Sequence, residues 1–187
     1  DIFCVRTQPV VSIAKDCNLY VDMLVYQAEP GGHQVITVAY SATTAKELRL
    51  VSCLDPPSCA SIIQVQPKRQ DVGFFGDRPA EACDETTSSE VLYGGYPSMA
   101  FVAKSDTVDG GLQSIILVAF FEETTGSLML LVCTDAPKCN NISLRYLDEG
   151  EEFPRGQVAD EVGRYAMLTI ANEKPIVGYF NTNASSL

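Results

Sequence analysis

Two pairs of cysteines carry the most specific chemistry in this sequence. Five residues separate Cys53 from Cys59, and Cys133 and Cys139 repeat that spacing around a similar Asp-x-Pro segment. Repeated short spacings in a chain with seven cysteines are typical of disulfide-bonded proteins from oxidising compartments. Zinc sites use tighter cysteine spacings, and this chain has one histidine. We therefore expect the disulfides Cys53–Cys59 and Cys133–Cys139.

The other three cysteines are Cys4, Cys17 and Cys83, and they repeat no spacing. A Cys17–Cys83 bond and a Cys4–Cys17 bond are both allowed by the sequence, and either one leaves a cysteine over. An odd cysteine in a secreted chain indicates an intermolecular disulfide or a free thiol.

Residues suited to catalysis are sparse. His33 is the only histidine and stands in a Gly-Gly-His turn, which favours a solvated position and argues against Ser-His-Asp and Cys-His mechanisms. Carboxylate pairs of the kind glycosidases use occur at 122–123, 149–152 and 160–161. Because each pair lies in a turn or loop beside other charges, we expect these groups to be solvated and the protein not to be an enzyme.

Asp55 and Asp135 recur inside the two cysteine turns. A hydrogen bond from the backbone, as in an Asx turn, is the simplest role for such a residue. Calcium ligation is the alternative, but no loop with spaced oxygen ligands is evident. We expect no bound metal and no other cofactor.

Charge and composition restrict the partners. The net charge of −11 argues against nucleic acid and anionic membrane surfaces as partners, and no apolar run reaches the roughly 18 residues of a membrane span, so we expect no membrane insertion. Asn141 and Asn183 begin Asn-x-Ser sequons for N-linked glycans, which fit an extracellular, secreted protein. The sequence begins at Asp1, with neither an initiator Met nor a signal peptide, so we expect a processed product or a fragment.

The cysteine pairs lie in a segment that the chain repeats after 80 residues. Residues 48–59 read LRLVSCLDPPSC, and residues 128–139 read LMLLVCTDAPKC. Eight residues before each opening leucine stands an aromatic residue, Tyr40 or Phe120. A period of this size with internal strand patterning predicts a repeat architecture.

The strand-like segments group into units of four. In each unit the first strand follows a tyrosine (Tyr20, Tyr96 or Tyr165), and the second ends in Ala-Tyr, Ala-Phe or Gly-Tyr. The third leads into the first turn cysteine, and the fourth follows the second turn cysteine. Because no convincing helical period occurs, we predict an all-β fold of about three four-stranded antiparallel, propeller-like blades.

The pattern resembles a class of secreted β-propeller-like repeats whose units read G-x-Y-x-S-L/M-A, then P-x-I-x-Y, then G-x-L-x-L-x-x-C-x-D-x-x-C. The resemblance covers most of the chain; the first unit departs most, because Leu19-Tyr20 lacks the glycine. It implies an architecture and no particular activity, since propellers serve as enzymes, lectins and scaffolds.

The third unit stops after its second strand, and the chain begins with two strands that lack the first two of a unit. Tyr179 stands eight residues before Leu187, the last residue, whereas residues 1–16 read as a hairpin with Cys4 in the position of a turn cysteine. We therefore expect one blade to be split between the two ends. The predicted single repeat domain 1–187 comprises the hairpin 1–16, the first blade with a long loop 17–92, the second blade 93–161 and the half-blade 162–187.

An unfinished blade exposes backbone groups that another strand must cover. We expect the hairpin of one copy to complete the half-blade of the next, a head-to-tail contact that produces a filament. The alternatives are a three-bladed ring closed on itself, a six-bladed ring of two chains, and continuation of the blades in a longer polypeptide. The predicted interface strands contribute Ile2, Phe3, Cys4, Val5, Val10, Val11, Ile13, Ile176, Val177 and Tyr179.

The function expected from these features is that of a non-enzymatic extracellular structural protein, a subunit of a filament or surface appendage. The alternative is a lectin-like or protein-binding propeller module, either a closed oligomeric ring or a fragment of a longer secreted protein. The absence of Trp weakens sugar stacking, although Tyr can replace it. A glycoside hydrolase would require two carboxylates to converge in one pocket.

Overall fold

The computed structural model describes residues 20–29, 31–42, 47–56, 59–67, 94–105, 112–123, 125–148 and 162–181. Ten strands account for most of these residues, and no helix occurs among them. The strands are β1 (Val21–Gln27), β2 (Gln34–Ala42), β3 (Glu47–Cys53), β4 (Ile62–Val65), β5 (Gly94–Ser105), β6 (Leu112–Glu122), β7 (Ser127–Cys133), β8 (Ile142–Asp148), β9 (Val162–Ala171) and β10 (Lys174–Asn181).

These strands form three antiparallel sheets, each with its strands in chain order. Sheet 1 consists of β1 to β4, sheet 2 of β5 to β8, and sheet 3 of β9 and β10. The predicted all-β class is confirmed, as are the four-stranded antiparallel units in sheets 1 and 2. The described residues do not form a closed ring of sheets, so the propeller arrangement stays a prediction.

The sheets pack face to face in the order 1, 2, 3. The core between sheets 1 and 2 contains Tyr26, Val35, Ala39, Leu48, Leu50, Met99, Ile116, Val118, Phe120, Met129 and Leu131. The core between sheets 2 and 3 contains Ala100, Leu117, Ala119, Leu128, Leu130, Ala166 and Leu168. Sheet 2 is therefore covered on both faces.

The burial of each strand explains its sequence. β7 reads SLMLLVC and is buried at nearly every position, because neighbouring sheets cover both of its faces. A strand buried on both faces needs a continuous apolar run. β1 instead alternates between more and less exposed residues, with Val21, Met23 and Val25 on its exposed face.

A glycine at the start of β5 and of β9 lets each strand approach the preceding sheet closely. A Cβ added at Gly94 would lie 3.0 Å from Leu48 Cβ of sheet 1, and one added at Gly163 would lie 2.8 Å from Leu128 Cα of sheet 2. Leu48 and Leu128 are the opening leucines of the repeated segment, and both are fully buried. The first strand of each following sheet therefore begins in contact with the repeated leucine.

A β-bulge follows each of these glycines and holds the repeated tyrosine. In sheet 2 the register runs from Gly95 opposite Phe121 to Ser98 opposite Ala119, which leaves two residues of β5 facing one of β6. Sheet 3 has the same irregularity around Tyr165. Tyr96 and Tyr165 have φ angles of 52° and 54°, a left-handed conformation that is uncommon for residues other than glycine. The bulge sets the direction of the tyrosine ring.

Candidate functional site

The outer edge of sheet 3 differs from the corresponding part of the other sheets. β10 pairs only with β9 among the described residues, whereas β2 and β6, the second strands of sheets 1 and 2, are paired on both sides. Tyr179 is 43% exposed, although the equivalent Tyr40 and Phe120 are 1% and 0% exposed. Ile176 and Phe180 are also exposed. β10 is therefore an apolar strand with one described partner.

Two apolar faces lie at opposite ends of the row of sheets. The outer face of sheet 3 consists of Tyr165, Met167 and Ile176, and Met167 is 75% exposed. On the outer face of sheet 1, Val21, Met23 and Val25 of β1 are exposed, whereas Tyr40, Ala42 and Val51 of β2 and β3 are buried. Because Met167 and the exposed residues of β1 are not covered, sheet 3 does not pack on β1 within the described residues, and we treat the outer face of sheet 3, the exposed β1 residues and the β10 edge as the candidate site.

The three repeated tyrosines form a ladder that crosses all three sheets. The ring centroids of Tyr20 and Tyr96 lie 3.8 Å apart, and those of Tyr96 and Tyr165 lie 4.6 Å apart. The Tyr20 hydroxyl donates a 2.7 Å hydrogen bond to the Tyr96 hydroxyl. Burial, followed by this hydrogen bond, raises the pKa of Tyr96 above its usual value. The ladder begins at sheet 1 and reaches the outer face of sheet 3.

Two residues beyond Tyr20 and Tyr96, a side chain accepts a hydrogen bond from the next sheet. The Met99 amide donates to Asp22 Oδ2 at 2.6 Å, and the Leu168 amide donates to Ser98 Oγ at 3.0 Å. The second Asp22 oxygen accepts a 2.8 Å bond from the Met23 amide. We call these bonds the inter-sheet relay. The position equivalent to Asp22 and Ser98 in sheet 3 is Met167.

Both expected disulfides are present. The Sγ atoms of Cys53 and Cys59 are 2.09 Å apart, and those of Cys133 and Cys139 are 2.08 Å apart. Each bond closes the turn between the third and fourth strands of its sheet. Cys4, Cys17 and Cys83 lie outside the described residues, so their pairing stays open.

Asp55 and Asp135 stabilise these turns by accepting hydrogen bonds from the backbone. The Ser61 amide donates to Asp55 Oδ1 at 2.9 Å, and the amides of Asn140 and Asn141 both donate to Asp135 at 3.1 Å. The bonds reach five or six residues along the chain rather than the two of an Asx turn, because each disulfide folds the fourth strand back over the aspartate.

One expectation about the carboxylates is wrong. Glu122 is 1% exposed rather than solvated. It accepts hydrogen bonds from the amide and hydroxyl of Thr125 at 2.7 and 2.6 Å, so it is buried because it closes the turn between β6 and β7. Glu123 and His33 are exposed, and residues 149–152 and 160–161 lie outside the described residues.

The predicted interface residues fall into two groups. Residues of the hairpin 1–16, namely Ile2, Phe3, Cys4, Val5, Val10, Val11 and Ile13, lie outside the described residues. Ile176, Val177 and Tyr179 all lie on β10. Val177 packs against the core between sheets 2 and 3. The Tyr179 hydroxyl donates to Asp148 Oδ2, and this bond, followed by burial, raises the pKa of Tyr179.

The sequence predicts the tyrosines of this site but not its hydrogen bonds between sheets. The tyrosines were visible as the residues that open each unit, and aligning the units on them would have placed Asp22, Ser98 and Met167 at one position. No sequence pattern indicates that the first two accept hydrogen bonds across sheets, because an exposed strand residue of the same type would look identical. Asn141 is exposed next to β8, and Asn183 lies outside the described residues.

The described residues contain no group of three or more His, Cys, Asp or Glu side chains placed to hold a metal ion. They also contain no helix long and apolar enough to cross a membrane. Comparisons of the chain with protein-family models, with characterised proteins and with solved structures found no match.

Proposed function

We propose that this protein is a non-enzymatic structural subunit of an extracellular filament or surface appendage, assembled by β-strand exchange between copies. The hairpin 1–16 of one copy adds the third and fourth strands to sheet 3 of another. The observation that carries the proposal is that β10 pairs only with β9 among the described residues, although its counterparts β2 and β6 have partners on both sides. Such an edge accepts a further strand through its backbone groups.

The sequence of the hairpin supports it as the added strand. Residues 2–5 are apolar around Cys4, which stands where Cys53 and Cys133 end the third strands of sheets 1 and 2. Residues 10–13 then supply the apolar fourth strand. Added in this order, the hairpin reproduces on sheet 3 the strand order of sheets 1 and 2.

Exchange between copies is favoured over closure within one chain. Tyr165 and Met167 on the outer face of sheet 3 and Met23 and Val25 on β1 are exposed, so sheet 3 does not pack on β1 to close the described row of sheets into a ring. A ring of three units would also be smaller than the four to eight blades of ordinary propellers. A head-to-tail contact need not close, and its repetition gives a filament.

The extracellular location in this proposal is supported by the two disulfides, which persist in oxidising compartments. The exposure of Asn141 leaves its sequon accessible to an N-linked glycan.

The test uses the full chain with single proline substitutions. Val5→Pro removes one amide from the predicted exchanged strand, whereas Thr7→Pro makes the same change two residues away in the predicted turn. We expect long fibres from the wild type and from Thr7→Pro in negative-stain electron microscopy, and only small species from Val5→Pro. Circular dichroism checks that both variants keep their β structure.

Two results would contradict the proposal. If Val5→Pro forms fibres as readily as the wild type, the hairpin is not the exchanged element. If the wild type instead forms a compact particle of one or two chains, a closed ring is favoured, and with it the lectin-like or protein-binding module.

A further inference from the structure

We propose that the outer face of sheet 3 binds the outer face of sheet 1 of a second copy, so that the tyrosine ladder continues from one copy to the next. The inference rests on the proposed head-to-tail assembly and adds a contact to it. In this second contact the faces of two sheets pack together, in addition to the strands that pair edge to edge. Its occupant is a second copy of this chain.

This contact continues one that is already made twice within the chain. Tyr96 packs on Tyr20 at 3.8 Å and Tyr165 packs on Tyr96 at 4.6 Å between ring centroids. Tyr165 is 63% exposed at the end of this series. The ring that follows Tyr165 in the same geometry belongs to the first tyrosine of another row, which is Tyr20 of a second copy.

The two ends of the inter-sheet relay also favour this contact. Within the chain, Asp22 and Ser98 accept hydrogen bonds from the amides of Met99 and Leu168. At the outer face of sheet 3 the acceptor position is Met167, whose side chain is apolar. A sheet that packs there must bring an amide that needs no acceptor.

Sheet 1 meets that requirement. The amide equivalent to those of Met99 and Leu168 is that of Met23, and it already donates to Oδ1 of its own Asp22 at 2.8 Å. Burying an amide without an acceptor is unfavourable, so the internal bond removes the penalty of placing Met23 against Met167. Sheet 1 therefore brings an amide that needs no acceptor, and sheet 3 presents the apolar Met167 where an acceptor would otherwise lie. The two surfaces suit each other as apolar surfaces.

The apolar composition of the two faces also favours their contact. The exposed part of the outer face of sheet 1 is β1, with Val21, Met23 and Val25, and the outer face of sheet 3 presents Tyr165, Met167 and Ile176. Met99 in sheet 2 and Leu168 in sheet 3, which are equivalent to Met23, are both buried between sheets. Exposed apolar side chains at positions that elsewhere form the core indicate a protein interface.

The test exchanges charges between the two faces in the full chain. Met167→Glu and Met23→Lys each place an unpaired charge in the proposed joint, and we expect each variant alone to raise the concentration needed for assembly by about tenfold or more. In an equimolar mixture the two variants alternate along the filament. One joint then places the introduced Glu against the introduced Lys, and the next joins two unchanged faces, so the mixture should assemble again. Sedimentation velocity measures the assembled fraction.

The control is Leu147→Glu, which makes the same kind of change at an exposed position on β8, the edge strand of sheet 2. We expect it to assemble like the wild type. All three variants change exposed side chains, so thermal unfolding of the dissociated chain should stay close to that of the wild type.

The outcomes separate this inference from strand exchange. Normal assembly of Met167→Glu and Met23→Lys, with assembly lost only in Val5→Pro, would overturn the face contact and leave strand exchange intact. Loss in both single variants without rescue in the mixture would also overturn it, because the two residues then do not meet. Rescue in the mixture with normal assembly of Val5→Pro would support the face contact and contradict strand exchange.

Discussion

Gly163 lies directly against Leu128, so close that a Cβ at residue 163 would be 2.8 Å from Leu128 Cα. The φ angle of Gly163 is +103°, a conformation that side-chain-bearing residues rarely adopt. The Val162 amide also donates a 2.8 Å bond to the Gly126 carbonyl, which fixes the chain at this point. The contact attaches sheet 3 to sheet 2 and cannot widen without breaking that bond.

Gly163→Ala should therefore lower the free energy of unfolding by about 2 kcal/mol or more, because it combines a backbone penalty with a steric clash. Chemical denaturation followed by circular dichroism measures the change. Gly178→Ala is the matched control, since a Cβ there meets nothing within 4 Å, and it should change stability by no more than about 0.5 kcal/mol. Equal effects of the two substitutions would contradict the contact.

Asp22 joins sheet 1 to sheet 2 through its carboxylate. Asp22→Ala removes the acceptors of both the Met23 and the Met99 amides and should cost about 2 kcal/mol, because bonds to a charged group are stronger than neutral ones. Ser98→Ala removes one neutral bond, to the Leu168 amide, and should cost about 1 kcal/mol. Urea denaturation of both variants checks this order, and the reverse order would refute the relay.

The tyrosines should make the protein less stable in alkali. Burial is the main cause that raises the pKa of both Tyr26 and Tyr96. Since the folded pKa then exceeds the unfolded value of about 10, the stabilisation is complete below pH 10 and is lost as the pH rises through the folded pKa. Tyr96→Phe should reduce this loss, as measured by urea denaturation between pH 8 and pH 11 (about one unit beyond the unfolded value). Identical pH slopes for variant and wild type would contradict the prediction.

Each disulfide should contribute to stability by restricting the unfolded chain. Both close a loop with a sequence separation of 6, for which the loop-entropy relation gives about 2 kcal/mol. Replacing Cys133 and Cys139 together by Ala should cost somewhat more than replacing Cys53 and Cys59, because Cys133 and Cys139 belong to the core between sheets 1 and 2 and Cys59 does not. Thermal unfolding of the two double variants tests this, and an equal or reversed ranking would argue against it.

The repeated segment determined much of this fold by itself. Its strand-length apolar runs and fixed cysteine spacing predicted antiparallel four-stranded sheets and two disulfides, because strand pairing and short cysteine turns depend on residues close in sequence. The tyrosines that open each unit were visible for the same reason.

The tertiary structure alone decided how the sheets contact one another. Asp22 accepts an amide from Met99 because sheet 2 packs across β1, and Ser98 accepts one from Leu168 because sheet 3 packs across β5. Whether Met167 and Tyr165 are covered likewise depends on which sheet comes next. Such contacts join residues far apart in the chain, and local sequence patterns carry no record of them.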